Sequence, residues 1–188
     1  MGSLRAALLV LFLCGITTHF STGLTIYEDV ISGDEMFSDF FKIFLREDGI
    51  LYEVEGKVVT RQSAFEDPIL EGADPVDITD SVVSGVNIVF HHNLQETELT
   101  KKQYKDYMKG YLKRVKERLE KENPDRVDIF MKDVEGVLKE ILASFNDLQF
   151  FIGKSENKEG MVALLDWRQD GRTPYMLFFK DGLEKEKA

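Results

Sequence analysis

The residues best suited to chemistry are two adjacent histidines, His91 and His92, which are soon followed by Glu96. Two imidazoles and a carboxylate could bind a metal ion weakly. If the predicted strand continues through the histidines, however, their side chains point to opposite faces. A structural zinc site also needs four ligands, so ordinary residues at a strand end are the favoured interpretation. The sequence shows no P-loop, no dinucleotide-binding glycine pattern and no catalytic set, so we expect neither an enzyme nor a bound cofactor.

A second candidate is the acidic segment at residues 61–81, which contains two prolines and shows little periodicity. These features predict a mobile loop. Calcium prefers oxygen ligands, but the twelve-residue EF-hand pattern is missing, so any calcium site here should be weak. A solvated, disordered loop without an ion is the favoured interpretation. The candidate calcium ligands are Glu66, Asp67, Glu71, Asp74, Asp77 and Asp80.

A third candidate is a basic helix. Residues 100–122 contain nine Lys or Arg and four Asp or Glu, although the whole chain carries a formal charge of −10. This asymmetry favours a surface for acidic protein tails or anionic cell surfaces, and a solvated helix face is the alternative. The overall acidity argues against a nucleic-acid binder. The basic face comprises eight of these nine residues: Lys101, Lys102, Lys105, Lys109, Lys113, Arg114, Lys116 and Arg118. Of these, Lys101, Lys105, Lys109 and Arg118 are the candidates to engage a polyanion.

The front of the chain resembles a secretory signal peptide. Arg5 precedes an apolar run at residues 6–15, and small residues lead to a candidate cleavage site after Gly23. The run is too short to cross a bilayer as a helix, and no transmembrane span is found elsewhere. Residues 1–23 are therefore predicted to be removed, which leaves residues 24–188 as a single secreted domain. The only cysteine, Cys14, would leave with the leader, so no disulfide-linked dimer is expected.

The elements that must position these residues form an α+β pattern. Short strands are predicted in the segments 24–60, 82–92 and 148–182, with turns within them at Asp48-Gly49, Glu55-Gly56 and Asp170-Gly171. Between them, residues 100–146 show helical spacing with a second start at Asn123-Pro124. So short a joint predicts an antiparallel helical hairpin. We therefore expect a mostly antiparallel sheet assembly with a protruding helical hairpin.

Several long blocks resemble the translationally controlled tumor protein family, also called histamine-releasing factor or fortilin. They are "IYEDVISGDEMFSD" at 26–39, "LYEVEGKVV" at 51–59, "GVNIVFHHNLQET" at 85–97, "FFIGKSENKEGMVALLDWRQDG" at 150–171 and "TPYMLFFKDGLEKEK" at 173–187. The resemblance implies a tent-like β fold, a flexible acidic loop, calcium binding, a tubulin interaction and a small-GTPase contact at Glu35. The alternative for Glu35 is a solvated acid in a turn.

The sequence departs from the family pattern in its leader, since the family is usually cytosolic and leaves cells by a non-classical route. It also has Lys154 where Glu is usual, and Ala188 where a cysteine often allows dimerisation. Two functions are therefore weighed. The first is a secreted effector acting on immune or vascular cells, with a secretion such as saliva or venom as a conceivable source. The second is an intracellular calcium- and tubulin-binding regulator with a growth or anti-apoptotic role.

Overall fold

The computed structural model describes residues 23–62 and 82–187. These residues form eleven strands and three α-helices. The strands are β1 Thr25–Asp29, β2 Glu35–Ser38, β3 Lys42–Leu45, β4 Leu51–Glu55, β5 Val58–Gln62, β6 Val82–Val86, β7 Gln95–Thr97, β8 Gln149–Ile152, β9 Ala163–Trp167, β10 Pro174–Phe179 and β11 Leu183–Lys187. The helices are α1 Asn87–His91, α2 Lys101–Glu122 and α3 Pro124–Ala143.

The largest sheet has six strands in the order β3-β4-β10-β9-β8-β7, and all its pairs are antiparallel. Its central strand β10 reads "PYMLFF", and Met176, Leu177, Phe178 and Phe179 are all buried. A continuous apolar run of this length is typical of a strand that is covered on both faces. The sheet therefore supplies the centre of the hydrophobic core.

A smaller sheet joins the front of the described chain to its end. Its order is β11-β1-β2, so β1 is the central strand and pairs antiparallel with both neighbours. A further antiparallel pair, β5 and β6, brings Gln62 opposite Val82. The loop predicted at 61–81 therefore starts two residues too early, because Arg61 and Gln62 belong to β5 and are paired with residues of β6. Residues 63–81 lie outside the described residues.

The helical hairpin begins and turns where the sequence predicts. Thr100 and Gln103 form a capping box, in which the Gln103 amide N donates to Thr100 Oγ1 at 3.3 Å and Thr100 N donates to Gln103 Oε1 at 2.9 Å. Pro124 occupies the first turn of α3. The buried residues recur at helical spacing and are Tyr104, Met108, Tyr111, Val115 and Leu119 in α2 and Phe130, Val134, Val137 and Ile141 in α3. The α+β class with antiparallel sheets and helices is confirmed.

Polar contacts anchor this hairpin to the rest of the fold. Tyr107 donates from its hydroxyl to the Gly160 carbonyl at 2.6 Å and accepts from the Val162 amide at 2.9 Å. Burial raises the pKa of Tyr107 well above its usual value, so the hydroxyl keeps the proton that it donates. At the start of α3, Arg126 contacts Asp181. The hairpin is thus fixed on the side that faces the sheets.

One predicted strand is wrong in its second half. The segment 82–92 is strand only through Val86, and residues 87–91 form α1. The Asn87 side-chain oxygen accepts from the amides of Lys57 and Ile88 at 2.8 and 3.0 Å. The Asn87 side chain thereby replaces a backbone acceptor of the sheet for Lys57, and the backbone is free to leave the strand and begin α1. No helix of the described residues is long and apolar enough to cross a membrane.

Candidate interaction surface

Glu35 is the first residue of β2, so the alternative of a solvated acid in a turn does not describe its position. It lies opposite Glu28 of β1, next to a register shift between Tyr27 and Glu28. Its side chain is 54% exposed. A half-exposed carboxylate on a paired strand is held in place more firmly than one in a loop, so this position can present a fixed charge to a partner.

The turn before Glu35 is held by a buried acid. Asp29 is fully buried, and its Oδ2 accepts from Ser32 N at 2.9 Å, Ser32 Oγ at 2.7 Å and Met161 N at 2.9 Å. Gly33 has a φ of +72°, a conformation that glycine adopts without strain, and its amide donates to the Asp29 carbonyl at 2.7 Å. Asp29 therefore ties the turn that leads into Glu35 to the chain near residue 161.

Glu35 belongs to a group of carboxylates that no single stretch of sequence reveals. Glu28, on β1, is close to Glu186 and Glu184 of β11 as well as to Glu35. Partial burial, a hydrogen bond with Glu186 and the repulsion of the other acids raise the pKa of Glu28. We call Glu28, Glu35, Glu184 and Glu186 the acidic patch. Because its members repel one another, a cationic partner surface would relieve that repulsion.

The acidic patch has a buried imidazole beside it. His92 Nδ1 lies 3.7 Å from Glu35 Oε2, and the His92 side chain is only 7% exposed. Burial lowers the pKa of His92, while the nearby Glu35 opposes that shift. Neither ring nitrogen has a hydrogen-bond partner within the described residues. His92 is therefore a neutral, buried neighbour of the acidic patch near pH 7.

The candidate metal set of His91, His92 and Glu96 does not converge. The two histidines lie at the end of α1, and His91 stacks against Phe40 with ring centroids 5.7 Å apart. Glu96 accepts instead from Gln149 Nε2 at 3.2 Å. Across residues 23–62 and 82–187, no three His, Cys, Asp or Glu side chains are grouped to hold a metal ion. The candidate calcium ligands from Glu66 to Asp80 lie outside these ranges, so calcium binding there stays a prediction.

The basic lysines all lie on α2, but they differ in their surroundings. Lys109 pairs with Asp106 at 3.1 Å with i,i+3 spacing, and two i,i+4 pairs join Lys113 to Glu117 and Lys116 to Glu120. Exposed pairs of this kind contribute little and exchange readily. The lysines of α2 without an ion pair among the described residues are three near its start and one at its end: Lys101, Lys102, Lys105 and Lys121. The free positive charge is therefore concentrated at the start of the helix.

The two arginines of the basic helix serve the fold. Arg118 contacts Glu122 at 2.8 Å and Glu184 at 2.7 Å, and so links α2 to β11. Arg114 donates to the Glu159 carbonyl at 2.8 Å. Arg118 is therefore already paired within the fold, through Nε with Glu122 and through Nη2 with Glu184, and its contact with a polyanion stays a prediction. Reversing its charge would disturb the packing of α2 on β11.

Comparison with known proteins decides the family. The family model described as "Translationally controlled tumour protein" matches residues 24–184. This chain belongs to that family. A "Translationally-controlled tumor protein homolog" of Lateolabrax japonicus is 53% identical over 170 residues, which cover 88% of this chain and 100% of the relative. The "Translationally-controlled tumor protein" of Homo sapiens is 50% identical over 172 residues, with the same coverage.

Solved structures agree with this assignment. The family member p23fyp of Schizosaccharomyces pombe has a TM-score of 0.75 and 41% identity, and the match covers 87% of this chain and 99% of that one. The Caenorhabditis elegans member has a TM-score of 0.64 and 32% identity, covering 87% and 98%. The family is in general not one of enzymes. Its match begins at residue 24, immediately after the leader-like segment.

Proposed function

We propose that this chain is an exported member of its family that acts as an effector through protein–protein or cell-surface contacts, in the manner of a histamine-releasing factor. One observation carries the proposal. A segment with the charge, apolar length and small-residue exit of a secretory leader ends at the point where the family match begins, at residue 24. Two independent boundaries thus coincide.

The described surface supports an interaction role. The acidic patch offers fixed carboxylates to a basic partner, and the start of α2 offers unpaired lysines to an acidic one. Opposite charges on separate elements let one small domain bridge two partners or bind a receptor in a defined orientation. For an exported protein, Glu35 would meet an extracellular basic surface and not a cytosolic GTPase.

The export step is tested by expressing the full chain in eukaryotic cells and sequencing the N-terminus of the protein in the medium. We expect a start near Leu24. A charge in the centre of the apolar run, Leu11→Arg, should retain the protein in the cells, whereas Leu4→Arg, ahead of the run, should not. An intact Met1 on wild-type protein in the cytosol would reject export and favour the calcium- and tubulin-binding regulator. An intact Met1 in the medium would indicate a non-classical route.

The effector step uses the processed protein from the medium and measures histamine release from basophils. We expect release by the wild type, a lower response to Glu35→Lys and an unchanged response to Glu135→Lys. Glu135 is an exposed acid of α3, so its variant makes the same charge change away from the acidic patch. If the wild type releases no histamine although it is processed and exported, the effector role is rejected and export stands.

A further inference from the structure

A narrow groove lies between the two long helices, close to the start of α2. Its volume is about 220 Å³. Tyr104, Met108 and Leu112 line it from α2, and Leu138 and Leu142 line it from α3. The aliphatic stems of Lys105 and Lys109 complete the wall, with their ammonium groups toward solvent since both residues are exposed. The groove therefore combines an apolar interior with a cationic edge.

Helical spacing explains this combination. Residues 104, 108 and 112 follow one another at intervals of four and share one face of α2. Residues 105 and 109 form the neighbouring row at the same spacing. The antiparallel partner helix contributes Leu138 and Leu142, which are also four apart. A row of lysines thus runs alongside an apolar row that α3 covers incompletely.

The charges at this end of α2 contradict the ordinary preferences of a helix. The N-terminus of a helix carries a partial positive charge, which favours acidic side chains there. The first turn of α2 has no acidic residue, and Lys101 and Lys102 are exposed there without an ion pair in the described residues. Lys105, in the second turn, is exposed and unpaired in the same way. Positions where a sequence violates such a local rule are expected to be functional ones. An anion bound beside these lysines would offset their unpaired positive charge.

We propose that this groove binds a free, single-chain anionic amphiphile of the fatty-acid class. Its alkyl chain would lie between α2 and α3, and its carboxylate would pair with Lys105 and Lys109. The ion pair of Lys109 with Asp106 is exposed at both partners, so a ligand carboxylate can replace it at little cost. This site is separate from the acidic patch and does not depend on export.

The size of the groove selects this ligand over larger ones. Pockets for drug-sized ligands usually measure roughly 300–1,000 Å³. A cavity of about 220 Å³ therefore has room for a single alkyl segment but not for a drug-sized ligand. A docked protein helix would need a longer groove with several anchor positions. The ammonium groups of Lys105 and Lys109 at the edge of the groove favour a ligand that carries a negative charge.

The probe is dodecanoate, titrated below its micelle concentration into the full-length protein, with calorimetry and methyl NMR of the leucines as readouts. We expect saturable binding and shifts at Leu112, Leu138 and Leu142. Dodecyltrimethylammonium has the same chain with the opposite charge and should bind at least about tenfold more weakly, because the Lys pairs become repulsive. Acetate, which carries the charge without the chain, should not bind measurably.

Two variants separate the parts of the site. Lys105→Glu with Lys109→Glu should weaken dodecanoate binding about tenfold or more, since two attractive exposed pairs become repulsive. Lys154→Glu with Lys158→Glu makes the same net charge change on an exposed loop and should bind like the wild type. Leu142→Trp fills the groove and should abolish binding, while circular dichroism verifies that the helices are intact.

The outcomes against the proposal are equally specific. Equal affinity for both twelve-carbon probes would mean non-specific adsorption of the alkyl chain. Unchanged binding by the Leu142→Trp variant would place the ligand outside the groove. Binding to anionic vesicles without binding to free dodecanoate would identify a membrane-facing surface instead. Each of these results would overturn the assignment.

Discussion

The contact between Arg126 and Asp181 should be among the most costly polar contacts to break. Arg126 Nη2 lies 2.9 Å from Asp181 Oδ2 and 2.6 Å from the Gly49 carbonyl, and Nε lies 3.1 Å from Asp181 Oδ1. The Asp181 side chain is only 7% exposed. Arg126→Met keeps an unbranched side chain but leaves a buried carboxylate and a carbonyl without their donor. Breaking a buried pair costs roughly 3–5 kcal/mol.

The lower end of that range applies, because Arg126 is 17% exposed and Lys180 lies 4.0 Å from Asp181 as a partial substitute. We therefore expect a loss of about 3 kcal/mol in the free energy of unfolding. For a domain of this size, roughly 2–4 °C of Tm accompany each kcal/mol, which gives a decrease of about 6–12 °C. Urea unfolding followed by circular dichroism measures the first quantity, and a thermal scan measures the second.

A matched control separates burial from charge. Lys42 pairs with Glu55 at 3.1 Å, but its side chain is 72% exposed, so Lys42→Met should cost less than about 1 kcal/mol. Removing both partners of the buried pair, as Arg126→Met with Asp181→Leu, should recover much of the loss because no charge is then left alone. A loss below 1 kcal/mol in Arg126→Met, or one equal to that of Lys42→Met, would refute the reasoning.

Three further predictions follow from the described residues. Burial lowers the pKa of His92 in the folded state, so the unfolded chain binds the proton first and stability should fall as the pH drops below about 6.5. His92→Gln should flatten this loss in urea titrations between pH 7 and 5, and His91→Gln, at an exposed position, should not. The affinity for heparin fragments should fall steeply as the salt concentration rises. The double variant Lys101→Glu, Lys105→Glu should weaken this affinity about tenfold. Binding that does not depend on salt would contradict the prediction. Protein that has lost Cys14 with its leader should run alike on reducing and non-reducing gels, and a reducible dimer band would show that the leader is retained.

The helical hairpin could be predicted from the sequence because its signals are local. Thr100 and Gln103 cap α2, Pro124 starts α3, and the apolar residues between them repeat at the helical period. Each signal involves residues three or four positions apart, so no knowledge of the tertiary fold is needed. The turn at Asp170-Gly171 is local in the same sense, and Gly171 has the positive φ that favours glycine.

The acidic patch could not be predicted in this way. Glu28 and Glu35 lie at one end of the domain sequence, while Glu184 and Glu186 lie at the other. Only the pairing of β1 with β11 brings them together. The ion pair of Arg118 with Glu184 could not be predicted either, because it depends on where the sheet places β11. The sequence of β11, "LEKEK", carries the charged side chains that are common on edge strands. A short charged run is equally typical of a solvated chain end, so it does not by itself predict a strand.

The pairing of β1 with β11 also sets a limit on when this surface can form. The two strands are roughly 160 residues apart in the chain. At a synthesis rate of roughly 5–20 residues per second, β11 becomes available about 10–30 s after β1. Until then β1 has only β2 beside it, and an isolated two-stranded hairpin is marginally stable in water. The three-stranded sheet to which β2 and Glu35 belong is therefore completed only when β11 arrives, so the acidic patch cannot assemble before the C-terminal strand is in place.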